Sequence, residues 1–103
     1  MIAYVVIATK GRPEDVAKLE EILRRQTTKP EKVIYVGTCD EDFGDAISEK
    51  QCPTSEFLIS EKAGLPAQRN VGIEYILKLN KNNDNFIVVY FSRKLGFFSF
   101  FNG

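Results

Sequence analysis

Residues 61–73 have the sequence Glu-Lys-Ala-Gly-Leu-Pro-Ala-Gln-Arg-Asn-Val-Gly-Ile, and the rest of the chain is interpreted outward from them. A short apolar run comes just before this stretch, and an apolar pattern with helical spacing follows it. Gly64 permits a backbone turn that a Cβ atom would hinder, and Pro66 suits the first turn of a helix. The stretch therefore predicts the end of a strand, a tight turn and the start of a long helix.

The start of this predicted helix has the composition of an anion site. Gln68, Arg69 and Asn70 fall in its first turn, where backbone N–H groups and the positive end of the helix dipole point outward. A guanidinium added to these groups favours an anion, and a phosphate most of all. On this stretch alone, a helix start whose Arg69 only faces water explains the sequence equally well.

The strands are predicted from continuous apolar runs. Such runs are typical of strands buried on both faces, as in a parallel sheet, and they occupy residues 2–8, 33–36, 57–59 and 86–91. Helical patterns alternate with them, which predicts an α/β fold with a Rossmann-like, doubly wound parallel sheet of about four strands in the order 3-2-1-4. Ligands of such sheets bind beyond the carboxyl ends of the strands, here at loops 9–13, 37–42 and 60–66 and after Phe91.

Two helices are predicted, each with one apolar face. The first starts near Pro13, ends at 27–30 and presents to the core Val16, Leu19, Ile22 and Leu23, while its charged residues, Glu20 included, form a solvated face. The second, from about 66 to 79, presents Val71, Tyr75, Ile76 and Leu79. Gly72 costs this helix about 1 kcal/mol relative to Ala. Either close packing of the helix on the sheet or simple tolerance explains why a glycine is present there. A short helical turn starting at Asp42 or Gly44 is also predicted.

Composition excludes several classes of function. The chain has 103 residues, enough for one domain, and its 14 basic and 14 acidic residues leave no excess charge to attract nucleic acid or an anionic membrane. Two cysteines and no histidine disfavour a zinc site and a histidine-activated thiol nucleophile. With no signal-like segment and no apolar stretch of membrane-spanning length, we expect a cytoplasmic protein with reduced thiols.

Four pieces of the sequence, in order, resemble the nucleotide-sugar-binding half of family 2 glycosyltransferases, which have the GT-A fold. They are residues 5–13, 26–36, 64–73 and 86–91, with the sequences VVIATKGRP, QTTKPEKVIYV, GLPAQRNVGI and FIVVYF. The resemblance spans residues 2–91. It implies that residues 1–91 form a nucleotide-sugar-binding α/β half-domain and that residues 92–103 are an aromatic tail unlike the family.

The resemblance also implies roles for individual residues. The ligand would be a UDP- or dTDP-linked sugar, with Thr9 and the loop through Arg12 beside the nucleobase. Gln68, Arg69 and Asn70 would lie toward the diphosphate. The family has an acidic residue against the nucleoside near Gly37 or Thr38 of this chain, so that Thr38 and Asp40 are the substitute candidates here.

The largest departure from the family follows the fourth strand. The family has an Asp-x-Asp type cluster there, whose carboxylates hold Mg²⁺ or Mn²⁺ against the diphosphate. This chain has Ser92-Arg93-Lys94, so we expect no metal bound by the chain. The acceptor half that carries the catalytic base in the family is also lacking. We therefore expect a donor-binding domain, truncated at this position, that alone transfers no sugar.

Two alternatives remain open. In one, Arg93 and Lys94 replace the metal and stabilise the leaving diphosphate, so that the chain is a metal-independent transferase. In the other, the chain is a non-catalytic interaction module that dimerises through Phe97–Phe101. The tail itself is explained either as a chance sequence that follows a truncation, which we favour, or as a strand that covers the sheet edge or a second chain.

Overall fold

Strand β1 (Ile2–Ala8) lies in the middle of a five-stranded sheet. The computed structural model describes residues 2–11, 13–25, 30–44, 54–80, 86–92 and 97–102. The remaining elements, in chain order, are α1 (Pro13–Arg24), β2 (Lys32–Gly37), a 3₁₀ turn (Asp40–Asp42), β3 (Ser55–Ile59), α2 (Leu65–Leu79), β4 (Phe86–Ser92) and β5 (Phe97–Asn102). Neither α1 nor α2 has the length and hydrophobicity needed to cross a membrane.

The strand order of the sheet is β3-β2-β1-β4-β5. β2 and β4 both pair with β1 in parallel, and β3 pairs with β2 in parallel. The predicted Rossmann-like order 3-2-1-4 is therefore confirmed. β5 is a further strand, which pairs antiparallel with β4 and forms an edge of the sheet. It occupies most of the C-terminal segment for which the sequence favoured a chance tail.

The two helices pack on opposite faces of the sheet. Alternate strand residues form the two cores, as the two-residue period of a strand requires. One core joins α1 to the sheet through Val5, Ile7, Val33, Tyr35, Val16, Leu19, Leu23 and Phe43. The other joins α2 to the sheet through Tyr4, Val6, Ile34, Val36, Val88 and Ile76. Helices on both faces explain why these strands are apolar throughout.

The buried face of α1 differs from the predicted one at two positions. Ile22, expected in the core, is 53 % exposed, whereas Glu20, expected on the solvated face, is only 2 % exposed. Glu20 accepts hydrogen bonds from the hydroxyls of Tyr35 (2.9 Å) and Ser55 (2.5 Å). These two hydroxyls offset part of the cost of burying a carboxylate, so the helix turns this position inward and Ile22 outward.

The buried stripe of α2 has a spacing of four residues. Gln68, Gly72 and Ile76 are buried, and Val71 and Tyr75 pack beside them, partly buried. The next position of the stripe is Asn80, whose Nδ2 donates to the Tyr4 hydroxyl (3.0 Å). Leu79 lies off this stripe and is 44 % exposed, so its predicted core position is wrong.

The loop after β2 also differs from its prediction. Its helical turn is the 3₁₀ turn at Asp40–Asp42, which begins earlier than the predicted turn at Asp42 or Gly44. The predicted continuation through Ala46 and Ile47 lies outside the described residues, as do 81–85 of the predicted polar turn before β4.

Gly72 is explained by close packing of α2 on the sheet. A Cβ atom at this position would lie 2.8 Å from Cγ1 of Val6 and 3.4 Å from Cγ2 of Val36. Val6 is buried and its branched side chain has little freedom to move away. The helix therefore approaches β1 and β2 more closely than any residue other than glycine permits.

We expect Gly72→Ala to lower the free energy of unfolding by about 1 kcal/mol, because overpacking costs about 1–3 kcal/mol and the gain in helix propensity is about 1 kcal/mol. Urea denaturation of the two proteins measures this change in the free energy of unfolding. Val6→Ala provides the matched background: with the clashing methyls removed, Gly72→Ala should instead stabilise the protein. Stabilisation by Gly72→Ala in the unmodified chain would contradict this packing.

Candidate functional site

Three loops meet at the carboxyl edge of the parallel strands. They follow β1, β2 and β3 and are tied to one another through the backbone. The N–H of Thr9 donates to the carbonyl of Val36 (3.0 Å), and the N–H of Ser60 donates to the carbonyl of Gly37 (2.8 Å). This is the edge at which open α/β sheets bind ligands.

The side chain of Gln68 fastens the start of α2 to this edge. It is 2 % exposed, and its Nε2 donates to the carbonyls of Val36 (2.7 Å) and Thr9 (2.9 Å). Its Oε1 accepts from the N–H of Gly64 (3.2 Å). Both amide hydrogens are thus used inside the protein, and one side chain joins the ends of β1 and β2 to the first turn of α2.

A groove of about 420 Å³ opens between the end of β1 and the start of α2. It is lined by Ala8, Thr9, Lys10, Ala63, Gly64, Leu65 and Gln68. Gly64 has a φ of 117°, a conformation in which residues other than glycine are strained, and it turns the chain into the helix. The groove therefore lies at the positive end of the α2 dipole and has the exposed residue Lys10 in its lining.

Asp42 holds the loop after β1 against the loop after β2. It is 3 % exposed. Its Oδ1 accepts from the N–H of Gly11 (2.7 Å), and its Oδ2 accepts from the N–H and hydroxyl of Thr38 (both 2.7 Å) and from the N–H of Cys39 (3.3 Å). Burial alone would raise the pKa of Asp42, but the hydrogen bonds from Thr38, Gly11 and Cys39 outweigh it and lower the pKa to about 2.

The thiol of Cys39 is not activated. Its pKa is raised by a hydrogen bond to the carboxylate of Glu41, then by partial desolvation and by the neighbouring charge of Asp42. A raised pKa disfavours the thiolate, which is the nucleophilic form of cysteine.

The structure brings only some of the predicted site residues to the groove. Thr9 and Gln68 line it. Arg69 is half-buried and Asn70 exposed, both in the first turns of α2. Half-buried Thr38 and exposed Asp40 belong to the loop after β2 that Asp42 organises. Arg12 lies outside the described residues.

Sequence reasoning missed two residues of this edge. Lys10 was predicted only as part of the loop after β1, and the structure places it in the lining of the groove, with Gly64 also in that lining. Asp42 was predicted only as one of two starting points of a short helical turn, without a role at this edge. Its spacing from Thr38 was the available signal, since a carboxylate four residues after the first residue of the loop reaches back to the amides there once a 3₁₀ turn forms.

The metal site that the resemblance implies does not fit the residues at the end of β4 and directly after it. Ser92, Arg93 and Lys94 offer one hydroxyl and two cations, none of which replaces a pair of carboxylates as a ligand of Mg²⁺ or Mn²⁺. Within residues 2–11, 13–25, 30–44, 54–80, 86–92 and 97–102, His, Cys, Asp and Glu side chains form no group of three that could hold a metal ion.

Comparisons of the chain with protein-family models, with curated proteins and with solved structures find no match. The resemblance to family 2 glycosyltransferases therefore rests on its four sequence pieces and stays a hypothesis. The Rossmann-like strand order and the groove at the carboxyl edge stand independently of it.

We expect Asp42→Asn to lower the free energy of unfolding by about 2 kcal/mol at pH 7. The pKa of the Asp42 carboxyl falls from its ordinary value of 3.8 to about 2 in the folded protein, and a shift of this size corresponds to roughly that free energy. Because folding lowers this pKa, the contribution is complete above about pH 4. It is lost as the pH falls toward 2. Urea denaturation between pH 2 and 7 measures the difference between the two proteins.

The exposed neighbour Asp40 provides the matched control for this titration. Asp40→Asn should change the stability by less than about 0.5 kcal/mol, as surface substitutions usually do. A difference between Asp42→Asn and the unmodified chain that stays constant from pH 7 to pH 2 would show that the carboxylate charge is not what holds the two loops.

Proposed function

We propose that this chain binds a nucleoside diphosphate sugar through its diphosphate, in the groove between the end of β1 and the start of α2. The observation that carries the proposal is this groove, which places a helix N-terminus and the ammonium of Lys10 together at the carboxyl edge of the sheet. A phosphate is the anion that such groups recognise best. The resemblance to family 2 glycosyltransferases supports the same ligand class.

Each part of the proposed site has its own role. We propose that the remaining first-turn N–H groups of α2, at Leu65 and Ala67, contact the diphosphate together with Arg69 and Asn70. Lys10, in the lining of the groove, adds a second cation. Gln68 acts by holding the helix start, because its amide hydrogens are occupied by Val36 and Thr9. The resemblance assigns Thr9 and the loop through Arg12 to the nucleobase, and we propose that Thr38 and Asp40 contact the nucleoside from the loop that Asp42 fixes.

Binding in this proposal is independent of metal, and the chain by itself transfers no sugar. The residues after β4 supply cations where carboxylates would be needed for Mg²⁺ or Mn²⁺. With the charge of the whole chain balanced, affinity comes from the local groups of the groove, so we also expect it to fall with ionic strength.

The test is calorimetric titration of the chain with UDP and with dTDP, in EDTA and in Mn²⁺. We expect equal binding in both media and a loss of about tenfold in affinity, about 1.4 kcal/mol, for Lys10→Ala, because a charge-assisted contact is removed. Lys78→Ala, a lysine in the last turn of α2, is the matched control and should bind as the unmodified chain does.

Three results would count against this proposal. Absence of binding at millimolar nucleotide would reject the ligand class. Equal affinities of the Lys10 and Lys78 variants would reject the groove as the site. Binding that requires Mn²⁺, or sugar transfer by the chain alone, would reject the metal-free, non-catalytic role.

Self-association through the tail is the second candidate function, and the position of β5 favours it. β5 is the outermost strand of the sheet, and its sequence contains neither a charge nor a proline, the usual protections of an edge strand. A second copy of the chain is the partner we propose for this edge, through Phe97–Phe101.

Removal of residues 95–103 should then convert a dimer into a monomer in light scattering, because the edge that pairs is lost. Far-ultraviolet circular dichroism of both proteins checks that the parallel sheet survives the removal. An unchanged mass would show that the tail is not the contact between copies.

A further inference from the structure

One edge of β5 is used inside the chain, and the other is directed outward. The inner edge pairs with β4 over six positions, from Ile87↔Asn102 to Ser92↔Phe97. In any strand, alternate residues direct N–H and C=O groups to opposite edges, so the outer edge of β5 carries its own row of donors and acceptors. Among the residues that the structure describes, no strand pairs with that outer row.

Five of the six residues of β5 form a sequence that is the same in both directions about Ser99. Residues 97–101 are Phe-Phe-Ser-Phe-Phe. Two copies of a strand that pair side by side and antiparallel are related by a twofold axis perpendicular to the sheet. Under that symmetry, the residue that follows the axis by a given number of positions in one copy lies opposite the residue that precedes the axis by the same number in the other copy.

Side-chain alternation restricts where this axis lies. A twofold axis perpendicular to the sheet keeps each face on its own side, and directly opposite residues share a face. The axis therefore passes through a residue and not between two residues. At Ser99 it places Phe opposite Phe at four positions and Ser99 opposite its own copy, whereas at Phe98 or Phe100 it places Phe opposite Phe at one position.

We infer that two copies of this chain pair antiparallel through the outer edges of β5, with the twofold axis at Ser99. The inference rests on the second candidate function and specifies its geometry. The two five-stranded sheets become one continuous sheet, and both copies of α1 lie on one face. Aromatic residues opposite one another are among the stabilising cross-strand pairs, which favours this register over its neighbours.

This pairing leaves the groove of each copy open. Rotation about an axis perpendicular to the sheet reverses the strand direction, so the carboxyl edges of the two copies point to opposite ends of the joined sheet. The groove lies at the end of β1, two strands from β5 in the sheet order. Nucleotide binding and pairing are therefore separate properties, and each is measurable without the other.

The test is disulfide cross-linking of Ser99→Cys in a background carrying Cys39→Ser and Cys52→Ser. Opposite residues of an antiparallel pair have Cα atoms about 4.5–5.5 Å apart, within the range a disulfide spans. We expect covalent dimer as the main product of mild oxidation on a non-reducing gel. Asn102→Cys in the same background is the matched control, since its two copies would lie about 20 Å apart along the strands.

A dimeric mass by light scattering, with cross-linking at position 99 and little at 102, supports the inference. A monomeric mass overturns it, and so does cross-linking that is equal at both positions, as irregular aggregation would give. A dimer that cross-links at neither position overturns the register. Titration of the same proteins with UDP tests the groove separately, so failure of one proposal is distinguishable from failure of the other.

Discussion

The buried amide of Gln68 is the interaction on which the rest of the structure depends. It donates to carbonyls at the ends of two neighbouring strands and accepts from the amide that opens α2. Carbonyls at a strand end that are removed from water must find donors. One glutamine donates to the carbonyl of Thr9 and adds a second donor to the carbonyl of Val36, which also accepts from the N–H of Thr9. The position of the helix start relative to the sheet follows from these three bonds, and so does the shape of the groove.

Close contact of α2 with the sheet is the second constraint, and it acts one turn further along the helix. Gly72 lies over Val6 and Val36 with no room for a methyl group. Gln68 and Gly72 are four residues apart and lie on the same helix face. A polar contact and an apolar one therefore fix the same two strands against the same helix, and the groove gains a rigid wall from both.

Sequence patterns were sufficient for the strand order, because four uninterrupted apolar runs alternating with helices leave few arrangements. They were not sufficient for the direction of polar side chains. Gln68 was predicted to face a ligand, yet its amide is turned into the protein. Glu20 was assigned to solvent because charged residues usually are, but two hydroxyls from distant strands make its burial tolerable.

The same limit explains the loop after β2. Asp40 and Asp42 are two residues apart and chemically equivalent in the sequence, and only the 3₁₀ turn decides which carboxylate is buried against the amides. Composition also could not show that Lys10 lines the groove, since the groove forms between two segments that are far apart in the sequence. Local pattern predicted which loops form the site, and tertiary contacts determined which atoms face it.

The central position of β1 has a consequence for the order in which the chain acquires structure. β1 is synthesised before β4, one of its two partners, and their register begins with Ile2 opposite Phe86. All the residues between these two strands must emerge from the ribosome before that side of β1 is covered. Pairings of such sequence separation form slowly, so one edge of an apolar strand stays unpaired during this interval, which is when such surfaces are prone to aggregate.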